Sequence, residues 1–200
     1  MKKWFLESSI NLIKKNKNYS DDEIELIEYG LEGIYLTITK AIIIFGIAIA
    51  LGIFKEVIYL LIFYNLVRSQ AFGIHASKSI YCLISSLTMF IGGAYLCKYL
   101  VIPLWAMIII TIICIICLIL YAPADTVKRP IVNTKKRKRF KYLSTLIGII
   151  YLVLIIIFKD NSITNYILFG LIFEVIMILP ITYKIFNLPY ANYKSYKSGV

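Results

Sequence analysis

Residues 100–121 read LVIPLWAMIIITIICIICLILY and contain no charged side chain. As a helix, these 22 residues would rise roughly 33 Å, which matches the roughly 30 Å hydrocarbon core of a lipid bilayer. The stretch therefore predicts a membrane-spanning helix.

Five other apolar segments occur along the chain, at residues 34–54, 57–67, 80–96, 143–158 and 163–183. The segment 57–67 is too short to cross, because its 11 residues would rise only about 16 Å as a helix. Either that helix continues through Arg68 toward Phe72, or the chain re-enters at partial depth. We expect an all-α integral membrane protein with about six transmembrane helices, one of them short or re-entrant. A four-span version is the main competing topology.

The composition excludes an ordinary water-soluble fold, since 60% of residues are hydrophobic and the mean hydropathy is +0.80. The formal net charge is +11, but its location argues against nucleic acid as a partner. Cationic residues gather at the ends of apolar segments, most densely at residues 128–141, as the positive-inside rule predicts for cytoplasmic loops. We predict six crossings with both termini in the cytoplasm, which leaves only Lys55, Lys98 and Lys159 outside.

The N-terminal part predicts amphipathic helices that precede the membrane domain. Residues 20–23 match a capping box, and apolar residues then recur at helical spacing with glutamates on another face. We expect residues 1–33 to lie on the membrane surface; a helix packed on partner loops is the open alternative. The expected domains are residues 1–33, a transmembrane domain at 34–183 and a cytoplasmic tail at 184–200.

The loop 68–82, RSQAFGIHASKSIYC, holds the one histidine of the chain, His75, and Cys82. On one continuous helix, positions seven apart are separated by about 10 Å along the axis, so a contact between them requires a non-helical turn at His75, which Gly73 permits. Cys82 would then lie in the first turns of the next helix, with Ser77 or Ser79 as its N-cap. The helix dipole there stabilises a thiolate.

This pairing predicts a cysteine nucleophile with His75 as its base. The alternative is that both residues only pack. The other three cysteines, Cys97, Cys114 and Cys117, lie in apolar runs and are interpreted as packing residues. Cys114 and Cys117 have the C-x-x-C spacing of a zinc site, but the sequence around them lacks the further histidine or cysteine ligands that such a site needs.

Two acidic residues are further candidates for the site. Asp125 follows the fourth segment and is a candidate to orient His75, as the third group of a triad does; an ordinary solvated loop charge is the alternative. Glu174 lies within the last apolar segment, where an ionisable group is costly and therefore suggests function. No partner for it is evident in the sequence, and a neutral structural carboxyl is equally open.

The pattern R-x(4)-G-x-H-A-x(5)-C at residues 68–82, followed by YAPADT at 121–126 and a basic loop with Pro130, resembles the AgrB family of quorum-sensing membrane endopeptidases. The likeness covers nearly the whole chain. Many members carry two consecutive glycines before the histidine region, where this chain has Phe72 and Gly73.

The resemblance implies that His75 and Cys82 are the catalytic pair of a cysteine endopeptidase in the bacterial cytoplasmic membrane, with its active site on the cytoplasmic side. It implies an AgrD-like propeptide as substrate, thiolactone or lactone ring closure, contact with membrane lipids and a homodimer, and no metal or organic cofactor. Arg68 and Gly73 join Asp125 and Glu174 as candidates to orient the site or contact substrate.

A basic loop of this kind would also draw the acidic tail of such a propeptide. The candidate tail-binding residues are Lys128, Arg129, Lys135, Lys136, Arg137, Lys138 and Arg139. Two rival functions remain open, namely a small peptide transporter that uses Glu174 in its pathway, and a non-catalytic scaffold for another protease.

Overall fold

The computed structural model describes residues 2–16, 20–74, 79–126 and 130–197, and every regular element within these ranges is helical. The helices are α1 (Lys2–Asn16), α2 (Asp21–Ala50), α3 (Phe54–Ala71), α4 (Ser79–Leu87), α5 (Gly93–Tyr99), α6 (Leu104–Tyr121), α7 (Thr134–Ile157), α8 (Ile163–Ile178), α9 (Pro180–Ile185) and α10 (Tyr193–Lys197). A π-helical turn, Thr88–Gly92, joins α4 to α5 without a break in the helical backbone. The predicted all-α class is confirmed.

Four helical stretches in the described residues are long and apolar enough to cross a membrane: Gly30–Ala50, Ile80–Tyr99, Leu104–Tyr121 and Thr134–Ile157. Ile163–Ile178 is a shorter apolar helix. Many apolar side chains on these helices are exposed, including Ile109, Ile113, Ile116 and Leu120 of α6. Exposed apolar surface on this scale is expected where a helix faces lipid instead of water.

The chain divides into two compact units, residues 1–47 and 48–200. In the first unit α1 packs on α2, with the Phe5 and Tyr35 ring centroids 5.4 Å apart. The capping box is present at the start of α2, because Ser20 N donates to Glu23 Oε2 at 2.9 Å and Glu23 N donates to Ser20 Oγ at 3.3 Å. The end of the expected surface segment and the first apolar segment belong to one helix, so the domain boundary expected at 33/34 falls within α2.

The second unit is built around α3, α6, α7 and α8, where α3 packs against α7 and α8, and α6 packs against the same two helices. Its buried core includes Val67, Leu118, Ile155, Leu168 and Leu171. The backbones of α3 and α8 approach closely at Gly170, where a Cβ atom would lie 2.9 Å from the Tyr64 backbone nitrogen. Glycine at a helix contact permits this approach, which brings polar groups of α3 and α8 together.

Three features differ from the sequence-based expectation or decide between its alternatives. The helix at 57–67 continues through Arg68 to Ala71, which is the first of the two options considered. The last apolar segment is not one helix, because the backbone is extended at Leu179 and a new helix begins at Pro180. In the segment 184–200, which was expected to be a cytoplasmic tail, the backbone nitrogens of Asn192 and Tyr193 donate to the Asp125 carboxylate; its cytoplasmic location stays a prediction.

The basic stretch also differs from the loop that was expected, since α7 begins at Thr134 and includes residues 135–141. The Asn133 side chain accepts hydrogen bonds from the backbone nitrogens of Lys135 and Lys136, at 3.0 and 3.1 Å. This N-cap starts the helix ahead of the apolar segment, and lysine and arginine are good helix formers. The expectation of a loop was wrong for this part of the stretch.

Candidate active site

The turn after α3 is a short non-helical stretch held on both sides. Phe72 has a φ of 64° and Gly73 a φ of 109°. Gly73 N donates to Ala124 O at 2.8 Å, and Ala124 N donates to Ala71 O at 2.9 Å, which makes a single parallel bridge between Phe72 and Ala124. Ile74 N donates to Met177 O at 3.1 Å. The backbone that leads directly into His75 is therefore fixed by two other parts of the chain.

Gly73 is required at this turn by both conformation and space. Its positive φ favours glycine, and a Cβ atom would lie 2.7 Å from Arg68 Nη1 and 2.9 Å from Met177 O. Gly73 was predicted to permit a non-helical turn, and the backbone at Phe72 and Gly73 confirms that the helix ends there.

Arg68 and Glu174 form an ion pair inside the second unit. Arg68 Nη1 lies 3.4 Å from Glu174 Oε2, and the two side chains are 16% and 0% exposed. Arg68 Nη2 donates a second hydrogen bond to Ile74 O at 2.7 Å. One guanidinium therefore connects a carboxylate of α8 with the last described residue before His75.

Tyr64 lies one turn before Arg68 on α3 and belongs to the same cluster. The Arg68 guanidinium carbon lies 6.0 Å from the Tyr64 ring centroid, and the hydroxyl interacts electrostatically with Arg68, Glu174 and Cys82. The Tyr64 ring packs edge-on against Phe90 of the π-helical turn, with centroids 5.3 Å apart. This ring contact holds α3 against the helical segment that carries Cys82.

Cys82 is the fourth residue of α4 and is partly buried. Its position in the first turn of a helix is the one predicted for it. Its carbonyl accepts hydrogen bonds from the Ser85 and Ser86 hydroxyls, at 3.1 and 2.7 Å. Because α4 begins the Ile80–Tyr99 candidate span, the thiol is placed near one end of that span.

His75, Ser77, Lys128 and Arg129 lie outside the described residues. The pairing of His75 with Cys82 therefore stays a prediction, as does the tail-binding role of Lys128 and Arg129. The described structure brings together three of the other candidates, Arg68, Gly73 and Glu174, around the turn that leads to His75.

Asp125 forms a separate centre at the end of the loop that follows α6. Its buried carboxylate accepts hydrogen bonds from three backbone nitrogens, those of Ile131 at 3.3 Å, Asn192 at 3.1 Å and Tyr193 at 2.8 Å. Its carbonyl accepts a hydrogen bond from the Tyr183 hydroxyl at 3.0 Å. These bonds tie the C-terminal segment to the loop, while the proposed orientation of His75 by Asp125 stays a prediction.

The chain is similar over most of its length to proteins of one known family. The model of the family described as accessory gene regulator B matches residues 6–178. The chain belongs to the AgrB family. An AgrB-like protein of Clostridium acetobutylicum is 38% identical over 190 residues, covering 94% of this chain and 91% of the relative. No solved structure matches significantly.

Two other relatives have similar coverage. An AgrB-like protein of Listeria innocua is 30% identical over 187 residues, which are 93% of this chain and 92% of the relative. The accessory gene regulator protein B of Staphylococcus epidermidis is 31% identical over 176 residues, which are 88% of this chain and 90% of the relative. The AgrB-family match extends from α1 to the end of α8 and so contains the whole cluster around Arg68.

The basic residues of α7 in this AgrB-family chain separate into two groups. Lys135, Lys136, Lys138 and Arg139 are exposed. Arg137 turns inward instead, with its Nη1 atom 3.9 Å from Asp125 Oδ2 and its guanidinium carbon 3.6 Å from the Tyr193 ring centroid. A cation stacked on an aromatic ring and paired with a buried carboxylate is a structural element, so Arg137 differs in kind from its neighbours.

The C-terminal segment also contains Tyr190, whose ring packs edge-on against Tyr183 at a centroid distance of 5.1 Å. Burial raises the pKa of Tyr190, and the nearby Arg137 guanidinium opposes this rise. Tyr190 and Tyr193 were not identified from the sequence. Their only sequence signal is a run of tyrosines after the last apolar segment, which is also typical of a membrane interface.

The remaining cysteines of this AgrB-family chain lie within the helices. Cys97 and Cys114 are buried and Cys117 is partly buried, and Cys97 Sγ approaches Asn165 O at 3.6 Å. In the part of the chain that the structure describes, no group of three His, Cys, Asp or Glu side chains is placed to hold a metal ion.

Tyr64 is the residue of the Arg68–Glu174 cluster that was not predicted from the sequence, because an aromatic residue within an apolar segment carries no distinctive signal.

Proposed function

We propose that this protein is a membrane cysteine endopeptidase that cleaves the C-terminal tail from an AgrD-like propeptide through a thioester at Cys82, and promotes closure of a thiolactone or lactone ring. The observation that carries the proposal is the convergence of two elements. Cys82 in the first turn of α4 is within electrostatic range of the Tyr64 hydroxyl. Tyr64 belongs to the polar cluster with Arg68 and Glu174, and Arg68 of that cluster holds the turn that leads into His75. Membership of the AgrB family supports the same function.

In the first step, the Cys82 thiolate attacks the scissile carbonyl of the propeptide. His75 takes the thiol proton and then donates it to the amine of the departing tail. The peptide bond breaks as the carbon–sulfur bond forms, so the products are a free acidic tail and an acyl-enzyme thioester. The helix dipole at the start of α4 favours the thiolate that this step needs.

In the second step, a thiol or hydroxyl of the peptide's own N-terminal fragment attacks the thioester and releases Cys82. The new bond is a thioester or an ester, so no external energy source is needed when a thiol closes the ring. Water competes with this step and would give a linear acid. Because Cys82 lies near one end of a candidate membrane span, we infer that the surrounding lipid and helices limit the access of water.

The exposed basic residues of α7 provide a site for the acidic tail. Lys135, Lys136, Lys138 and Arg139 present four cationic side chains within about one and a half turns of one helix. We infer that they attract carboxylates of the substrate tail, while the amphipathic leader of the propeptide lies on the membrane surface. Arg137 is excluded from this role because it is engaged by Asp125 and Tyr193.

For the topology we propose six crossings in the bacterial cytoplasmic membrane, with both termini and the active site in the cytoplasm, and a homodimer as the assembly. The four long apolar stretches account for four of the crossings. α3 and α8 supply the other two, and their 18 and 16 residues would rise roughly 27 and 24 Å. A helix slightly shorter than the bilayer is accommodated by local thinning of the lipid.

The purified protein in liposomes, given a cognate propeptide and nothing else, tests this function. We expect cleavage by the wild type and by a variant in which Cys97, Cys114 and Cys117 are replaced by alanine, and no cleavage after Cys82→Ala is added. Absence of cleavage by the wild type would favour the scaffold alternative. Cleavage that survives Cys82→Ala, with contaminating proteases excluded, would refute the cysteine mechanism.

A further inference from the structure

The ion pair between Arg68 and Glu174 is an unusual feature for the interior of this chain. Glu174 is fully buried and Arg68 is mostly buried, so both charges are largely removed from water. A buried ion pair of this kind is weak evidence for stability, because the loss of hydration of both charges offsets their attraction. The presence of the ion pair is better explained by the groups that the two side chains hold in place.

Glu174 faces two groups of α3, the Arg68 guanidinium and the Tyr64 hydroxyl. Its Oε2 atom accepts a hydrogen bond from Arg68 Nη1 at 3.4 Å. Its Oε1 atom is buried and has no hydrogen-bond partner among the described residues. A substitution at Glu174 therefore acts on the position of the Arg68 guanidinium and on the Tyr64 hydroxyl beside it.

Arg68 in turn holds the backbone of the turn. Its second nitrogen, Nη2, donates to Ile74 O at 2.7 Å, and its Nη1 atom occupies the space beside Gly73 that a Cβ would need. The planar guanidinium can point one nitrogen at a carboxylate and another at a carbonyl, which a lysine ammonium on a flexible stem does not reproduce. Ile74 is bonded covalently to His75, so a fixed Ile74 carbonyl limits where the histidine can be.

The same cluster is also within electrostatic range of Cys82. Tyr64 interacts electrostatically with Arg68, Glu174 and Cys82, and its ring rests on Phe90 of the segment that continues from α4. The pair thus contacts the backbone before His75 and, through Tyr64, the surroundings of Cys82.

We propose that Arg68 and Glu174 are the positioning residues of the site, with Glu174 fixing the Arg68 guanidinium and Arg68 fixing the Ile74 carbonyl and therefore the approach of His75 to Cys82. This inference rests on the proposed function, since it gives the pair a role in the reaction of Cys82. In the proposed reaction neither residue is the nucleophile or the base, so their loss affects geometry and not the reacting groups themselves.

The test compares Glu174→Gln, Arg68→Lys and the double variant in a background where Cys97, Cys114 and Cys117 are alanine. Two readouts are taken from the full-length protein in liposomes: kcat and KM for a cognate propeptide, and the pH dependence of Cys82 alkylation by iodoacetamide without substrate. Glu56→Gln is the matched control, because Glu56 also forms an ion pair at 3.4 Å, with Lys98, but lies at the start of α3, at the other end from Arg68.

We expect each single variant to lower kcat by about 10- to 100-fold, the size of effect that a misplaced catalytic group produces, with little change in KM. The double variant should be no worse than the more severe single variant, because both act through one contact. Alkylation of Cys82 should require a higher pH, since an imidazolium that is no longer held nearby stabilises the thiolate less. Glu56→Gln should match the parent in both readouts.

Unchanged kcat and an unchanged alkylation profile in a folded variant would overturn the positioning role, and so would a rise in KM alone. If Glu174→Gln does not fold, the same two readouts are taken from Arg68→Lys alone. That variant keeps a positive charge opposite the Glu174 carboxylate, so neither buried charge is left unpaired. The alkylation profile needs no propeptide. Failure of the proposed function would therefore appear as absent cleavage by the parent, whereas failure of this inference would appear as normal cleavage and normal alkylation in the variants.

Discussion

Asp125 is a buried carboxylate whose hydrogen bonds run to backbone nitrogens at Ile131, Asn192 and Tyr193. We predict that Asp125→Asn loosens the C-terminal segment, because the amide has one acceptor oxygen and its NH₂ group would face a backbone N–H. Each buried group left without a partner costs about 1–3 kcal/mol. Limited trypsin digestion should cut faster at Lys194, and the thermal midpoint in detergent should fall.

Asp160→Asn is the control for this prediction, since Asp160 is exposed in the turn between α7 and α8 and its substitution should leave both measurements unchanged. An Asp125→Asn protein with wild-type protease resistance would show that the carboxylate does not hold the segment. If such a protein had also lost peptide cleavage, the orienting role of Asp125 toward His75 would gain support instead.

Gly73 offers a second residue-scale prediction, because its positive φ and its contacts leave no room for a side chain. We predict that Gly73→Ala displaces Arg68 or the end of α8 and lowers cleavage by about 10-fold or more. Gly46→Ala should be neutral, since a Cβ there meets nothing within 4 Å. Cleavage assays on both variants check this, and a fully active Gly73→Ala would mean that the turn adapts without affecting the site.

Sequence reasoning worked at this scale where the signal is local. The capping box at Ser20 and Glu23 and the place of Cys82 in the first turn of its helix follow from short-range patterns, and the structure confirms both. The pairing of Arg68 with Glu174 was not predicted, because the partners are 106 positions apart. Only the packing of α3 on α8 brings them together.

At the scale of elements, the exposed cations of α7 form a testable surface. We predict that changing Lys135, Lys136, Lys138 and Arg139 to glutamine raises KM for the propeptide more than it lowers kcat, because the substrate's acidic tail loses its attraction in the bound state. Added salt should weaken binding to the parent and have less effect on the variant. Steady-state cleavage at two salt concentrations measures both effects.

Arg137→Gln is the matched comparison within the same helix. It removes one positive charge, as each of the four exposed substitutions made singly does, but Arg137 faces Asp125 and Tyr193. We therefore expect lower stability of the C-terminal segment with little change in KM. Equal effects of Arg137 and its exposed neighbours on KM would contradict the division of the basic residues into two groups.

The lengths of α3 and α7 and the break after α8 show how far sequence could predict the elements. Hydropathy located the apolar parts but underestimated α3, because Arg68 ends the uncharged run while the helix continues to Ala71. It missed the helical start of α7, which depends on the Asn133 cap. The break at Leu179 had a local signal, since the residue before a proline is disfavoured in a helix, and Pro180 begins the next one.

At the scale of the whole molecule, six crossings with cytoplasmic termini predict which positions face the outside. A single cysteine placed at Lys98 or Lys159 in an otherwise cysteine-free chain should react with a membrane-impermeant maleimide on intact cells. A cysteine at Lys136 should react only after the cells are broken. Both results are expected from the distribution of positive charge along the chain. Labelling of position 136 on intact cells would reverse the orientation, and a failure of position 98 or 159 alone would change the number of crossings.

The central claim is that peptide cleavage passes through a thioester at Cys82. The most direct measurement is mass spectrometry of the wild-type protein, mixed with its cognate propeptide and quenched in acid to preserve thioesters. We predict that the N-terminal fragment of the propeptide is found attached at Cys82, that hydroxylamine releases it, and that Cys82→Ala yields neither the adduct nor the free tail. Release of the tail at the wild-type rate by the Cys82→Ala protein, with no adduct at any time in the wild type, would contradict the account.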